Sequence, residues 1–339
     1  MFKVLFYITS FVAVFANEIN LRGTLDAPNY EFEVFKDFIN TFKKDYKTIE
    51  EEVNRFNIFR ENFRIIKSHN SDTRQNFTMG VNQFTDLTPE EFKSIYVSGL
   101  KTEVGLYGCK SFSGSASGLP SAIDWRTLGA VTSVKDQGQC GSCWTFSATG
   151  AIEGAWAIST GKLLDLSEEQ LVECATGVTY GSHGCSGGQM DGAFKYVITN
   201  GQCSLSSYPY TSGTGKSGAC QKCSAVAQLS SCSDVKPNDQ ISLKAAVAQQ
   251  PVAIAIEADT RYFQSYSNGV LTSSSCGTNL DHGVLIVGYG EESGQKYWLV
   301  KNSWSTTWGD KGYVKIARSE STNDAGICGI AMQPSFPSV

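Results

Sequence analysis

Apolar residues recur along this chain with a changing period, and each period predicts a different kind of element. At the start, Val4 to Phe15 is an apolar run broken only by Thr9 and Ser10 and preceded by Lys3. At about 12 residues it is too short for a bilayer, which takes roughly 20, and Val14-Phe15-Ala16 places small residues where export signals are cut. The expectation is a signal peptide over 1–16, with an uncleaved anchor as the alternative. Beyond it the period becomes helical. Tyr30, Val34, Phe35, Phe38 and Phe42 recur at three to four residues, as do Phe56, Phe59, Phe63 and Ile66, which predicts two long amphipathic helices. The run Ser111-Phe-Ser-Gly-Ser-Ala-Ser-Gly118 then reads as an exposed linker and a cutting site. These breaks divide the chain into 1–16, a helical leader domain over 17–118, and a main domain over 119–339.

In the main domain, Cys143 to about Ser159 is apolar on nearly all faces, which predicts a buried helix. Ser167-Glu-Glu-Gln170 has the spacing of a capping box and predicts a helix through Cys174. From Pro251 the pattern turns to short β-rich runs at Val252–Ile256, Gly283–Val287, Tyr297–Lys301 and Gly312–Ile316. Helices first and strands later give an α+β protein with two lobes, and a site between them.

Composition narrows the setting. The chain has 339 residues, 28 Lys plus Arg against 33 Asp plus Glu, and a net charge of −5. Nothing in that balance supplies the clustered positive charge of a nucleic-acid surface, and no later stretch reaches membrane length. The 11 cysteines are many for a reduced compartment, and their odd number predicts one thiol kept free.

Gln137-Gly-Gln-Cys140-Gly-Ser-Cys143-Trp144 is the densest chemical signal. Cys140 and Cys143 could be a redox pair, although the preceding segment is a polar turn rather than a strand. They could bind zinc with Cys220 and Cys223, although no histidine supports it. Cys143 could instead be a nucleophile at a helix N-terminus, where the dipole favours a thiolate. A plain structural disulfide is the fourth reading. A nucleophile needs a base, and the chain has 3 histidines. His69 lies in the leader and His183 in a glycine-rich loop. His282 heads an apolar run, and Asn302, just after another strand, could orient its imidazole without adding charge.

Taken together, Gln137…Cys143-Trp144, Asp281-His282-Gly283 and Asn302-Ser303-Trp304…Trp308-Gly309 resemble the catalytic segments of papain-family cysteine peptidases, in the same order and with similar separations. The leader matches independently. Glu51, Arg55, Phe59, Asn62, Ile66 and Asn70 fall at spacings of 4, 4, 3, 4 and 4, one stripe of a helix, and resemble the interspersed motif of cathepsin L-like propeptides. Gly80, Asn82, Phe84 and Asp86 match the motif that follows it, and Leu119-Pro-Ser-Ala-Ile-Asp124-Trp125-Arg126 is similar to the start of the mature enzymes.

The resemblance implies a papain-like fold, a helical lobe plus a β-barrel-like lobe preceded by a helical inhibitory propeptide, and a cysteine endopeptidase made as a zymogen. It implies Cys143 as nucleophile, His282 as general acid–base in a thiolate–imidazolium pair, Asn302 accepting the imidazole N–H beneath Trp304, and Gln137 with the Cys143 N–H as the oxyanion hole, each such donor worth ~3 kcal/mol. Gly187 and Gly188 would carry an extended substrate backbone. Met190, Ala255 and Leu280 would line the pocket for the residue two before the cut, with Gln333 at its base, so an apolar Leu, Phe or Val is preferred there. No metal or cofactor is implied. The partners are protein or peptide substrates and the chain's own propeptide, which covers the cleft in reverse orientation. Acid would loosen it as Glu51 and Asp86 lose charge. The implied setting is a monomer in the secretory pathway, in a lysosome or other acidic vesicle or outside the cell.

Similarity also implies the pairs Cys140–Cys185, Cys174–Cys220 and Cys276–Cys328. Cys109, Cys203, Cys223 and Cys232 are left: one could remain a thiol, one could meet Cys109, or Cys220 and Cys223 could exchange roles. Thr145 stands where the family has Ala, and Ser305 where it has Gly. Asn76-Phe-Thr78 is the one glycosylation sequon and lies in the leader. Three other functions remain in view: a catalytically silent papain-fold binder, an exopeptidase, and a thiol–disulfide oxidoreductase. The exopeptidase lacks a His-bearing insertion to grip a substrate terminus.

Overall fold

The computed structural model describes residues 28–101, 107–115, 117–272 and 276–339; the signal expected over 1–16 lies outside them. The chain packs into two compact units, one of residues up to Asp72 with Val81–Thr88, the other of Thr73–Gly80 with Pro89–Val339.

The first unit is a helix pair, α1 (Pro28–Phe42) and α2 (Ile49–Ser71). Thr48 caps α2, its hydroxyl accepting the Glu51 N–H at 3.1 Å, and Glu50, Glu51 and Glu52 complement the helix dipole. The expected stripes meet: Phe59 lies 4.9 Å from Phe38 and 5.2 Å from Phe35, ring centre to ring centre. Tyr30 departs from the pattern. It sits in the first turn of α1, 58% exposed, with Lys67 over its ring. Along the other stripe, Arg55 donates to the Asp86 carbonyl at 3.0 Å, and Asn62 donates to the Thr85 and Leu87 carbonyls, both at 2.9 Å. Asp86 is held by Lys44 at 2.8 Å and Tyr46 at 2.7 Å, while Glu51 accepts the Lys47 N–H. These two carboxylates therefore brace the first unit internally.

The second unit opens with β1 (Phe77–Met79), α3 (Pro89–Tyr96), β2 (Lys110–Phe112) and β3 (Ile123–Asp124), followed by α4 (Cys143–Thr160), α5 (Glu168–Cys174) and α6 (Met190–Asn200). Ser167 caps α5 by accepting the Gln170 N–H at 3.0 Å, but the box is only half closed. The Gln170 carboxamide accepts from Cys203 N–H instead, at 2.7 Å. After the short pair β4 (Gln202–Cys203) and β5 (Ala225–Ala227) come β6 (Ser231–Val235), α7 (Gln240–Val247), β7 (Val252–Ile256), α8 (Arg261–Gln264), β8 (Tyr266–Leu271), β9 (His282–Glu292), β10 (Gln295–Lys301), β11 (Tyr313–Ala317) and β12 (Ser335–Ser338). One large sheet runs β1-β8-β11-β10-β9-β7-β12-β6-β2, with β3 beside β9. Its two end strands both come from ahead of residue 119. The β-rich runs expected after Pro251 fall on β7, β9, β10 and β11.

The stretch 111–118 is not a linker throughout. β2 takes its first two residues into the sheet, parallel to β6. The Phe112 ring meets Phe336 edge-on at 5.1 Å, and Phe112 and Gly114 are half-buried while Ser111, Ser113, Ser115, Ser117 and Gly118 are exposed. The cysteines pair as Cys109–Cys232, Cys140–Cys185, Cys174–Cys220, Cys203–Cys223 and Cys276–Cys328, leaving Cys143 as the free thiol. This excludes a dithiol at Cys140 and Cys143, and any zinc site that needs free Cys220 and Cys223.

Replacing Asn62 with Ala strands two buried carbonyls, so the precursor should lose roughly 2–4 kcal/mol in its leader. Thermal unfolding followed by far-UV circular dichroism checks this; an unchanged melting curve would show that the two bonds carry no weight.

Candidate active site

Cys143 is the first residue of α4 and His282 the first of β9, so helix start and strand start meet at the site. The meeting is direct: a Cβ built on Gly283 would lie 3.3 Å from the Cys143 carbonyl oxygen and from the Trp144 backbone. Asn302, immediately after β10, accepts the His282 Nε2–H on Oδ1 at 2.8 Å. The same oxygen accepts the Ser303 N–H at 2.8 Å, which fixes the orientation of the carboxamide. With its proton on Nε2, the imidazole keeps its lone pair on Nδ1, a buried atom with no hydrogen-bond partner. Trp304 stacks on the ring at 4.5 Å between centres, tilted by 23°, and both residues are buried.

An ionic cluster lines one cavity together with Asn302. Lys135 reaches Glu153 at 3.1 Å, Asp165 at 2.7 Å and Glu168 at 2.7 Å. Thr132 donates to Glu153 at 2.6 Å and accepts from the Lys301 ammonium at 3.1 Å. The residue before Asn302 is thereby tied to α4. Burial pushes Glu168 up to about 7 and the Lys301 ammonium down.

Gln137 is fully buried. Its Oε1 accepts from the Ser303 hydroxyl at 2.7 Å, while its amide donates to the Cys140 carbonyl at 3.0 Å and to the Tyr96 carbonyl at 3.2 Å. Tyr96 ends α3, so a leader carbonyl occupies the side-chain donor expected to serve the oxyanion hole. The next leader residues run along the glycine loop. Gly188 N–H donates to the Gly99 carbonyl and Lys101 N–H to the Gly188 carbonyl, both at 3.0 Å, and Leu100 pairs with Gly188 in parallel. Both glycines are required here. Gly187 has φ +103°, and a Cβ on Gly188 would lie 2.6 Å from the Trp144 ring.

Leu100 is buried in one cluster with Met190 and Ala255, and Leu280 packs against that cluster. Gln333 and Met190 line one small cavity together with Met332, Asp191 and Asp234. Gly187 and Gly188 face the leader at Gly99, Met190, Ala255 and Leu280 share a cluster with Leu100, and Gln333 lines a cavity with Met190. His183 is exposed and His69 belongs to the first unit, so neither joins the site. Sequence reasoning missed Tyr96, Leu100 and Phe92, the last packed edge-on against Trp304 at 5.2 Å. The i, i+4 spacing of Phe92, Tyr96 and Leu100 was the available signal. It also missed Ser303, whose hydroxyl aims Gln137.

The charged pair is not favoured in this covered state. Burial pushes the Cys143 thiol up to about 12, against the pull of the Gly283 and Trp144 N–H groups and with the charge of Asp281 adding to the rise. Burial pushes His282 down to about 4, against its bond to Asn302. Burial thus disfavours both charged forms while the site is covered, working against the helix dipole. Ser305, standing in place of Gly, has φ +62°, a left-handed backbone costing roughly 1 kcal/mol. Thr145 is accommodated by donating to the Ser142 carbonyl at 2.9 Å.

Comparison with known proteins agrees with this geometry. Residues 119–338 match the papain family cysteine protease domain and residues 35–92 the cathepsin propeptide inhibitor domain (I29). The chain is 45% identical over 299 residues to probable cysteine protease RD21C of Arabidopsis thaliana, covering 87% of this chain and 65% of that one. It is 44% identical to probable cysteine protease RDL2 of the same plant, covering 87% and 82%. Among solved structures, a recombinant stem bromelain precursor superposes with a TM-score of 0.83 at 37% identity, covering 91% of this chain and 99% of that one. Digestive procathepsin L 3 of Tenebrio molitor larval midgut gives 0.82 at 39% identity, with the same coverage.

In the precursor, alkylation of Cys143 by iodoacetamide should accelerate about tenfold per pH unit between pH 8 and 10, since the thiolate is scarce until the pH nears its pKa. A rate already level by pH 7, read by peptide mapping, would mean that the thiolate is present in the covered state.

Proposed function

The chain belongs to the papain family of cysteine proteases, and from that premise we propose that it is an endopeptidase made as a zymogen with Cys143 as its nucleophile. The observation that carries this reading is the orientation of His282. Its Nε2–H is committed to Asn302 and its Nδ1 has no partner, while the next residue, Gly283, lies against the backbone of Cys143, the free thiol at a helix N-terminus.

Once the cleft opens, water and the helix dipole favour transfer of the Cys143 proton to Nδ1. The thiolate sulfur attacks the peptide carbonyl carbon, and the C–O π pair moves to oxygen, where the Gln137 amide and the Cys143 N–H stabilise it. The C–N bond breaks as the imidazolium gives its proton to the amine. A water then loses a proton to His282 and attacks the thioester, releasing the acid and the thiol. Asn302 keeps the imidazole in one tautomer throughout, with Trp304 shielding their bond.

Gly187 and Gly188 carry the substrate backbone in this reading, where the leader now pairs in parallel. Met190, Ala255 and Leu280 receive the side chain two before the cut. Leu100, an apolar residue seated in that cluster, supports the apolar preference, with Gln333 at the base. The leader comprises residues 17–118 and mature enzyme starts near Leu119. The five disulfides belong with an oxidising, secretory route. We assign an export signal to 1–16, an acidic vesicle or the extracellular space as destination, and a monomeric product.

Acid favours opening through His282. The closed form holds its imidazole at about 4 and the open form near the ordinary 6.5. Between those values the open form binds the extra proton, so falling pH shifts the balance towards it. Asp281, raised to about 7 chiefly by burial, opposes this to the extent that opening exposes it.

Acid treatment followed by titration with an epoxysuccinyl inhibitor should give cleavage near Leu119, peptidase activity and one adduct on Cys143. Gln137→Ala should lower kcat about 10²–10³-fold, the loss of one oxyanion donor. A correctly processed product with neither activity nor adduct would refute the assignment and leave a silent member of the fold.

A further inference from the structure

Among the five disulfides, Cys109–Cys232 has one cysteine ahead of the 111–118 stretch and the other in β6. Cys232 is 2% exposed, and Cys109 packs half-buried against the same core cluster. The residues that follow are also built into the second unit. β2 pairs in parallel with β6 from Lys110↔Ser233 to Phe112↔Val235. The Phe112 carbonyl accepts the Lys236 N–H at 2.9 Å, and Gly114 N–H donates to the Ser242 hydroxyl at 3.2 Å. Strand pairing of this length can fray after a chain cut, but the sulfur bridge does not.

Resting on the reading that mature enzyme begins near Leu119, we propose that this cut does not free the leader. The leader stays bonded to the protease through Cys232, and after later trimming a peptide containing Cys109 is retained as an edge strand on β6. A tethered leader competes for the cleft at an effective concentration on the order of millimolar, so the first cut leaves most molecules closed. Activity follows a second cut upstream of Cys109, or reduction of the bond. In reduction, two thiols of a reductant supply two electrons and two protons and leave as a disulfide, while Cys109 and Cys232 become thiols. Burial of Cys232 shields the bond from an attacking thiolate and makes the second cut the faster route.

The test is the mass of the acid-activated protease, quenched with epoxysuccinyl inhibitor and iodoacetamide and measured with and without a phosphine reductant. The unreduced product should exceed the chain starting near Leu119 by a peptide containing Cys109, and mapping should recover a Cys109–Cys232 cross-link that the phosphine releases. An unreduced mass equal to that chain alone, with Cys232 alkylated or bonded elsewhere, would overturn the proposal. The N-terminal sequence of the reduced heavy chain separates the two readings. A start far from Leu119 defeats the assigned boundary, while the cross-link map still decides whether Cys232 holds Cys109. A precursor with both Cys109→Ser and Cys232→Ser should also lose the lag between the first cut and full activity, and an equal lag in the two proteins would count against the tether. Should that variant fail to fold, the mass comparison on the unaltered chain decides alone.

Discussion

Burial of one free thiol and one imidazole is the constraint on which the rest of this site depends. Cys143 and His282 are both fully covered, and the low dielectric around them disfavours each charged form. The surrounding structure makes sense against that condition. Asn302 orients the ring with a neutral group, where a carboxylate would have favoured the imidazolium. Trp304 excludes water from the bond, and Lys135 gathers three carboxylates near Lys301. What remains is one imidazole lone pair and one thiol, each with its charged form disfavoured by burial.

The leader achieves this by using the bonding groups that a substrate would need. A main-chain carbonyl at Tyr96 takes the Gln137 amide, and Gly99 and Lys101 take both polar groups of Gly188. Leu100 fills the apolar cluster. The pairing at Gly188 is parallel. The same economy appears at the sheet edges, where β1 and β2 complete the two ends. Removing the leader would expose unpaired backbone at β8 and β6. A covalent bond at Cys109 fixes one of those edges after the chain is cut.

Much of this was legible in sequence, for physical reasons that can be named. Aromatic residues at helical spacing predicted α1 and α2, because a helix pair has one face to bury, and Phe35, Phe38 and Phe59 bury it. The runs on β7, β9 and β10 were apolar enough to declare buried strands. Cys143, His282, Asn302 and Gln137 could be singled out because few side chains can do nucleophilic chemistry and this chain has few histidines. The gaps are equally explicable. β1 and β2 are three-residue strands whose pairing is set by partners nearly two hundred and more than one hundred residues away. The Cys109–Cys232 bond depends on that register and not on spacing. Gln170 kept its capping position but turned its carboxamide to Cys203, a choice made by tertiary packing. How completely Cys143 and His282 are covered, and hence how strongly burial disfavours their charged forms, is something no local motif reports.

The account turns on His282 being neutral under the leader, and its titration can be followed directly by ¹⁵N and ¹H chemical shifts, since the chain has 3 histidines to assign. In the intact precursor the His282 imidazole should remain neutral down to about pH 4, with the proton on Nε2. An imidazole that charges near pH 6.5 or above in the precursor would show that the leader covers an ion pair already formed, and would contradict the account.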